Sequence, residues 1–436
     1  MLVHTEAKTN MVNKLFEFIN SSPTAYHTVD TLKKMLLAAG YTELSEKDSS
    51  DYSDGGKHFV IRGGTSIIAF SGKTKDGGFM ITASHSDSPA FKVKVSEECV
   101  GAYVRLNTEK YGGMMYYTWL DIPLSVAGRV TVRTKDGIAT RLVNIDRDLA
   151  VIPSVAIHLN RTVNEACKLN PAVDLLPLYS LGKEKGGFMK LIAEAAGVAP
   201  SDIVSHDLYV YNRQKGTSLG EGGELILSPR LDDLECVFAS CEAFLSAPDT
   251  EKAVKVLAVF DNEEVGSETK QGANSTFLDQ TLRKIAGSDE KYLSMLGDSF
   301  MISADNAHAK HPNHPELSDA ECSPILGGGV AIKYNANQRY TTDGVSGGVF
   351  KIFAERAGVT LQSFANRADM LGGSTLGSIS NTRVSIPTVD IGLPQLAMHS
   401  ATETAAASDV VDMIAVLREA YSSAVRFVGD EIKIIK

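Results

Sequence analysis

The stretch that most constrains this chain is the apolar run Val254–Phe260 together with the acidic segment 261–267 that follows it. Only Lys255 interrupts the run, which predicts a buried parallel strand entering a loop. Glu263 and Glu264 then lie at the carboxyl end of a strand, where open α/β sheets build their sites. Adjacent acids at such a position repel each other unless a positive charge lies between them, and a pair of metal ions would supply it. A solvated Glu-Glu turn is the alternative that this stretch alone leaves open.

The pattern on both sides of this run predicts an α/β fold with two domains. Residues 1–90 and 227–436 alternate between helices and strands, which indicates a doubly wound mixed sheet covered on both faces. Residues 91–226 contain short strands with turn signals and one helical stretch, so we interpret them as an inserted β-rich domain. The closing helix is expected to be amphipathic and to run from Ser408 through Arg426.

Composition excludes several classes of protein. The 436 residues carry a net charge of −10, so no basic stripe is available for phosphates and no nucleic-acid partner is expected. The five cysteines have no Cys-x-x-Cys spacing, which indicates reduced thiols and a cytoplasmic location. No apolar segment approaches the roughly 18–20 residues of a membrane span, so no membrane association is expected.

Four further polar clusters follow apolar runs and are therefore expected at the same edge of the sheet as Glu263 and Glu264: His85 with Asp87, Asp232 with Asp233, Asp305 with His308, and His399. As ligands they supply two imidazoles and at least three carboxylates but no thiolate, a set that fits Zn²⁺ and tolerates Mn²⁺ or Co²⁺. Two ions about 3.5–4 Å apart would share one carboxylate and activate a water, while a free carboxylate acts as general base.

Each cluster also has a plainer interpretation when taken alone. A single histidine such as His399 is more often a bonded partner in the core, and Asp232-Asp233 at a helix start is more often an N-cap. Asp87, two residues after His85, is placed to hold the second nitrogen of that imidazole. The residues alone do not decide whether Glu263 or Glu264 is the ligand.

The clusters also carry a resemblance that covers nearly the whole chain. Together with seven further motifs, the polar clusters resemble the aspartyl aminopeptidase family of cocatalytic zinc metallopeptidases. The further motifs are Ser22-Pro23-Thr24, Tyr26-His27, Tyr111-Gly112-Gly113, Trp119-Leu120-Asp121, Ala127-Gly128-Arg129, the segment 156–161 and the segment 373–377. The resemblance implies an aminopeptidase that removes N-terminal residues from peptides, with a preference for Asp or Glu. It also implies a homo-oligomer, a dodecamer built from dimers, with the inserted domain as the dimerisation domain.

The resemblance assigns roles residue by residue. It implies two divalent cations, most simply Zn²⁺, at ligand positions matched by His85, Asp232 as the bridge, Glu264, Asp305 and His399. It makes Glu263 the general base. It implies that Lys333 faces the side chain of the substrate's first residue, and that His158 reaches the active site of a neighbouring subunit. His308 is interpreted as a further residue of the substrate pocket.

Three departures from the family pattern put the substrate range in doubt. Asp233 stands where the family commonly has Asn, the segment 121–124 differs from the usual Asp-Arg-x-Leu, and Glu403 lacks the Arg often found before it. A broad or neutral-residue aminopeptidase, or a deacylase with the same centre, therefore stays open. A non-catalytic assembly protein with a structural metal site is the alternative from another class. The remaining histidines are assigned to surface or structure (His4, His58, His206) or left without a role (His311, His314).

Overall fold

The computed structural model describes residues 2–48, 51–182 and 184–436, with the side chains of all of these except 2–7 and 51. The side chain of His4 thus lies outside the described part. The described helices are α1 (Leu2–Asn20), α2 (Ala25–Ala38), α3 (Gly187–Ala196), α4 (Leu231–Ser246), α5 (Phe277–Ala286), α6 (Asp289–Leu296), α7 (Gly344–Ala357), α8 (Leu376–Asn381) and α9 (Ala407–Tyr421).

The described strands are β1 (Thr42–Leu44), β2 (His58–Arg62), β3 (Ser66–Ser71), β4 (Phe79–His85), β5 (Ala90–Val100), β6 (Val104–Tyr111), β7 (Leu124–Thr134), β8 (Gly137–Asn144), β9 (Leu178–Ser180), β10 (Ile203–Asn212), β11 (Thr217–Leu219), β12 (Leu225–Ser228), β13 (Val254–Phe260), β14 (Phe300–Ala304), β15 (Ala307–His308), β16 (Val330–Tyr334), β17 (Leu361–Ala365), β18 (Thr388–Gly392), β19 (Pro394–Leu396), β20 (Glu403–Ala406), β21 (Ala424–Val428) and β22 (Glu431–Ile435).

A nine-stranded mixed sheet forms the centre of the fold, in the order β1-β2-β3-β13-β4-β14-β18-β16-β17. Strand β13 pairs in parallel with β4 and antiparallel with β3, and β14 is parallel to both β4 and β18. All seven residues of β13 are buried. The predicted buried parallel strand and the α/β fold class are confirmed.

Helices cover both faces of this sheet because its strands send alternate side chains to two apolar cores. Leu257 and Val259 of β13 pack in a core with helices α1, α2, α4, α7 and α9. Val256 and Ala258 of the same strand pack in a second core with α5, α6 and α8. The run Val254–Phe260 is therefore apolar at nearly every position, which fits a strand buried on both sides.

Two smaller sheets flank the large one. The six-stranded sheet, β8-β7-β10-β5-β6-β9, is antiparallel throughout and shares a core with α3 and Trp119. The five-stranded sheet has the order β11-β12-β20-β19-β15. Strand β12, with β11 on its other side, thus pairs with β20 of the C-terminal part of the chain, although both β11 and β12 begin within the predicted insert 91–226. The division into two domains at residues 91 and 226 stays a prediction.

The end of the chain differs from the sequence prediction. Helix α9 ends at Tyr421 instead of continuing to Arg426, and β21 and β22 form a hairpin after it. The hydroxyls of Ser422 and Ser423 bond to carbonyls four residues earlier, a local alternative to further helix formation. The apolar spacing of 424–427 suits both structures, so the prediction of an uninterrupted helix was wrong.

Two findings concern the expected cellular location. None of the helices in the described ranges has both the length and the apolar character that crossing a membrane requires. All five cysteines are free thiols. The cytoplasmic location itself stays a prediction.

Candidate metal centre

The candidate site lies where three neighbouring parallel strands end. His85 is the last residue of β4, Glu263 and Glu264 lie one turn beyond β13, and Asp305 directly follows β14. These strands are adjacent in the order β13-β4-β14, so their carboxyl ends meet at one edge of the sheet. The expectation that these clusters share one edge is confirmed.

The other two clusters reach the site from a different sheet. Asp232 lies at the start of α4, directly after β12, and the Asp232–Asp233 peptide bond is cis. His399 lies in the turn between β19 and β20. The strands that precede or flank these residues, β12, β19 and β20, belong to the five-stranded sheet, which the sequence analysis did not separate from the large one. The prediction of a single shared edge was wrong for these two clusters.

The candidate ligands form two donor groups that share one residue. In the first, which we call the buried group, donor atoms of His85, Asp232, Asp233 and Asp305 lie within 4.8 Å of one another. In the second, which we call the open group, the same holds for Asp232, Glu264 and His399. Asp232 places Oδ1 3.6 Å from Nε2 of His85 and Oδ2 3.3 Å from Nε2 of His399. One carboxylate thus presents one oxygen to each group, as a bridging ligand must.

The donor set fits cations of the Zn²⁺ type. Three carboxylate oxygens of the two donor groups are buried and accept no hydrogen bond from the described residues: Asp232 Oδ1, Asp233 Oδ1 and Glu264 Oε1. A buried charge without a partner is costly, and a bound cation would remove this cost. Nδ1 of His85 lies 3.0 Å from the backbone oxygen of Asp87, which can only accept, so in the neutral ring Nδ1 carries the proton and Nε2 is the nitrogen that can bind a metal.

The structure separates the two adjacent acids. The carboxylate of Glu264 is 3% exposed and has Oε2 3.4 Å from Nε2 of His399. Glu263 belongs to neither donor group; it lies on the wall of the cleft described below. This is the arrangement expected for one ligand and one free carboxylate, although the sequence pattern alone could not choose between them.

Asp87 contacts the acidic loop as well as His85. Its carboxylate accepts hydrogen bonds from the backbone N–H groups of Glu263 and Glu264, each at 3.2 Å, and from the hydroxyl of Tyr111 at 2.7 Å. Oδ1 lies 3.4 Å from Nδ1 of His85, farther than the backbone oxygen of Asp87 itself. The predicted support of His85 therefore comes mainly from the Asp87 backbone, while the carboxylate holds the loop.

Glu403 is a supporting residue whose role the sequence analysis did not predict. It is 2% exposed and accepts the backbone N–H of Asp232 at 3.0 Å and that of His399 at 2.7 Å. His399 has φ +65°, a left-handed conformation that costs about 1–3 kcal/mol for a residue other than glycine. The bond to Glu403 helps to maintain it. No spacing rule links Glu403 to Asp232, because the contact arises only when β12 and β20 pair.

Negative charge exceeds positive charge at the site. Burial would raise the pKa of Asp232, but His399 and His85 hold it below its usual range. Burial raises the pKa of Glu263 to about 8, with Asp305 and Asp87 adding to the effect and His85 opposing it. Bound cations would supply the missing positive charge and lower the pKa of such carboxyls.

A cleft of about 630 Å³ opens beside the two groups and contains the predicted substrate residues Lys333 and His308. Lys333 is 3% exposed, and its Nζ lies 3.7 Å from Oδ2 of Asp305 and 5.5 Å from the ring centre of Tyr340. Lys333 is therefore a buried cation and not a solvated surface lysine. His308 lies on β15, with its ring 6.0 Å from that of Phe364.

The other histidines lie outside the donor groups of the described residues. His158 is exposed in the segment between β8 and β9 and does not line the cleft, so its predicted role across a subunit contact is untested by a single chain. His311 and His314 are exposed neighbours with ring centres 5.4 Å apart. His58 and His206 pair with Asp54 and Glu97, which agrees with the structural assignment.

Comparisons with known proteins agree with this fold and site. The family described as "Aminopeptidase I zinc metalloprotease (M18)" matches residues 18–421. A protein of Clostridium novyi named "Probable M18 family aminopeptidase 2" is 42% identical over 430 residues, which cover 95% of this chain and 99% of that protein.

Solved structures give the same result. The chain in the "Cryo-EM structure of the Ape4 and Nbr1 complex" is 34% identical with a TM-score of 0.92, and the match covers 96% of this chain and 86% of that one. The chain in the "mApe1 dodecamer" of S. cerevisiae is 26% identical with a TM-score of 0.84, covering 95% and 96%.

Fold, donor set and matches together define a zinc-dependent aminopeptidase of the metalloprotease class. The chain belongs to the M18 family, the aspartyl aminopeptidases. This confirms the resemblance seen in the sequence, and it favours an enzyme over the non-catalytic assembly protein.

Proposed function

We propose that this aminopeptidase removes single N-terminal residues, preferably Asp or Glu, at a centre that holds two divalent cations. The observation that carries the proposal is the sharing of Asp232, which faces His85 with one oxygen and His399 with the other. Zn²⁺ is the proposed metal, and the same donors accept Mn²⁺ or Co²⁺. Metal analysis of the purified chain tests the number and kind of ions.

The residues of the chain have separate tasks in this mechanism. When bound, the two cations would polarise the scissile carbonyl and lower the pKa of water. Glu263 is the general base: it takes the proton from the attacking water and returns it to the leaving amine. Asp87 holds the backbone of Glu263 and so keeps its carboxylate at the cleft wall. The cleft orients the N-terminal residue of the peptide.

The preference for acidic residues rests on Lys333. Its ammonium group is buried in the same cleft as Glu263 and Asp305, so a substrate carboxylate that enters the cleft would meet a positive charge shielded from water. A charge-assisted hydrogen bond in such a place is stronger than one between neutral groups. Asp305 is expected to direct much of its charge to a cation, which leaves Lys333 available to the substrate.

One observation favours the alternative of a broad or neutral preference. Lys333 already has an anionic neighbour, since its Nζ lies 3.7 Å from Oδ2 of Asp305. If this ion pair persists in the loaded enzyme, the lysine offers less attraction to a substrate carboxylate. The deacylase alternative would use the same metal centre, but its substrate would not need a free amine.

Release of p-nitroaniline from the Asp, Glu and Leu p-nitroanilides, together with release of acetate from N-acetyl-Leu, separates these functions. We expect higher kcat/KM for Asp and Glu than for Leu, no cleavage of the acetylated compound, and a reversal of the preference in Lys333→Met. His308→Phe serves as the matched control, because it changes the same cleft without removing the ammonium group. Equal rates for Asp and Leu would support the neutral alternative. An acidic preference that persists in Lys333→Met would show that Lys333 is not its cause.

We also propose a homo-oligomer, a dodecamer built from dimers, with the six-stranded sheet in the dimer contact. Large apolar side chains in the segment between β8 and β9 are exposed in the single chain: Val155, Ile157, Leu159 and Val173. Such a surface is typical of a protein interface. A homologue of this family has been solved as a dodecamer. Mass photometry of wild type and Leu159→Asp measures the size of the particle and so tests the assembly. Loss of activity in His158→Ala with both metals retained would support the role of His158 across the subunit contact.

A further inference from the structure

The six-stranded sheet reaches the metal centre through Tyr111, the last residue of β6. The Tyr111 hydroxyl donates to Oδ2 of Asp87 at 2.7 Å and accepts from Nδ2 of Asn262 at 2.8 Å. Asn262 directly precedes Glu263 in the acidic loop. A single hydroxyl thus connects the six-stranded sheet to the loop that carries Glu263 and Glu264.

The direction of the Tyr111 proton follows from the groups around it. The side-chain nitrogen of Asn262 can only donate, and its amide orientation is fixed because Oδ1 accepts from Thr269 Oγ1 at 2.9 Å and Gln271 Nε2 at 3.2 Å. The oxygen of Tyr111 is therefore the acceptor toward Asn262. Its one proton is left for Asp87, which makes this contact a charge-assisted hydrogen bond.

Asp87 transmits this contact to the backbone of both acids. Besides Tyr111 it accepts the N–H groups of Glu263 and Glu264, one on each carboxylate oxygen. Three donors fix the position of the carboxylate, and the carboxylate in turn fixes two consecutive peptide units. The direction in which the side chains of Glu263 and Glu264 leave the backbone is thereby set.

The residues that follow Tyr111 contact Glu264 and His399, the two members of the open group that the buried group does not share. Gly112 has φ +76°, and a Cβ at this position would lie 3.2 Å from Cβ of Glu264, so the turn packs directly on that residue. The backbone N–H of Met115 donates to the carbonyl of His399 at 3.0 Å. Glu264 and His399 are therefore both supported by the segment that begins at Tyr111.

We propose that Tyr111 is a positioning residue of the metal centre: through Asp87 it sets the geometry of the Glu263–Glu264 loop, and so the affinity of the open group and the aim of the general base. The six-stranded sheet then has a task in catalysis besides any task in assembly. Partners that orient metal ligands typically change metal affinity or activity by roughly 10–100-fold when removed. The inference rests on the proposed function of the two donor groups.

The test compares Tyr111→Phe with Tyr209→Phe. The ring of Tyr209 packs edge-on against Tyr111 with ring centres 5.6 Å apart, and its hydroxyl makes no hydrogen bond with the described residues. Each variant removes one hydroxyl from the same aromatic pair. Zinc affinity is measured by competition with a chelator. The values of kcat and KM are measured with the preferred p-nitroanilide, and stability is measured by thermal unfolding.

For Tyr111→Phe we expect the weaker zinc site to lose about 10–100-fold in affinity and kcat to fall by a similar factor, while KM changes less than twofold. Tyr209→Phe should match wild type in all three. Wild-type kcat and zinc affinity in Tyr111→Phe would overturn the inference, and so would equal losses in both variants, which indicate a purely structural role.

A second variant keeps the test independent of folding. Thr269 is exposed, and Thr269→Val removes one of the two bonds that fix the amide of Asn262 and leaves the one from Gln271. We expect a smaller loss of kcat and zinc affinity in the same direction, and no change would count against the inference. Failure of wild type to bind two equivalents of zinc would instead overturn the proposed function, and this inference with it.

Discussion

The buried and open donor groups differ in how far water can reach them. All four residues of the buried group are at most 8% exposed, whereas the His399 side chain of the open group is 33% exposed. The buried group also has one donor more. Electrostatic attraction is stronger where water is excluded, so the buried group is expected to bind its cation more tightly.

The two groups also differ in the structures that hold them. His85 and Asp305 directly end or follow strands of the central sheet, while His399 lies in a turn between two short strands with a left-handed backbone. Residues on rigid elements keep their geometry better than residues on turns. In the proposed two-cation centre, the buried group would hold its cation firmly and the cation of the open group would exchange more readily.

The largest expected effect is that of Asp232→Asn, because Asp232 is the residue common to both groups. The amide carries no charge and cannot offer two anionic oxygens, so we expect both affinities to fall by more than the roughly 10–100-fold cost of losing a partner outside the ligand set. Isothermal titration with zinc and the rate of peptide hydrolysis measure this. Asp409→Asn, at a buried aspartate outside the centre, is the control. Retention of either affinity would break the comparison.

Glu263→Gln separates chemistry from metal binding. Glu263 belongs to neither group, so both zinc affinities should stay within a few-fold of wild type. The rate should fall by about 10²–10⁴ because the general base is lost. Glu264→Gln is the neighbouring control and should weaken the open group alone. Full turnover in Glu263→Gln with both metals bound would remove Glu263 from the mechanism.

Asp233→Asn tests why the buried group is the tighter one. Oδ2 of Asp233 accepts the backbone N–H of His85 at 3.0 Å, while Oδ1 is buried without a hydrogen-bond partner. An asparagine retains an oxygen for His85 but removes the charge. We expect about a tenfold loss of affinity in the buried group, greater for Mn²⁺ than for Zn²⁺ because an anionic oxygen is lost. An unchanged affinity in metal titrations would show that the extra carboxylate does not contribute.

The smallest expected effect is a loss of folding stability as the pH falls. Acid protonates metal ligands and so releases metal. His27 lies outside both donor groups and shows how much stability is lost without any change in metal binding. Burial lowers the pKa of His27 to about 4, against the opposing effect of Asp30. As pH falls below 6.5 the unfolded chain gains this proton before the folded chain does, so stability is lost between pH 6.5 and 4.

Thermal unfolding at pH 7 and pH 5 measures this contribution. His27→Gln should lose less stability than wild type across this interval, by about 1 kcal/mol after allowance for partial exposure. An equal loss in both proteins would show that His27 already takes up its proton in the folded state.

Much of the central sheet could be predicted because the apolar character of each strand residue indicates whether that residue is buried. Val254–Phe260 is apolar at nearly every position since both faces of β13 are covered, and His85, Glu263 and Asp305 follow such runs directly. The five-stranded sheet could not be predicted in this way. Its strands are three or four residues long or shorter, and they pair over large distances in sequence, so no local period marks them.

The supporting contacts were beyond sequence reasoning for the same reason. Glu403 bonds to Asp232 across 171 positions, and Tyr111 bonds to Asn262 across 151. The charge of Lys333 gives no sign in the sequence that this side chain is buried; only the packing of β16 beside Asp305 places it in the cleft. The separate roles predicted for Glu263 and Glu264 came from the family resemblance, since the sequence pattern alone could not distinguish the two residues.

Zinc titration of the metal-stripped wild type and of His399→Ala tests the central claim most directly. We predict two equivalents with different affinities in wild type, and a single tight equivalent in His399→Ala, because only the open group has lost a ligand. One equivalent in wild type, two equal affinities, or loss of the tight site in His399→Ala would contradict the assignment of two groups joined by Asp232.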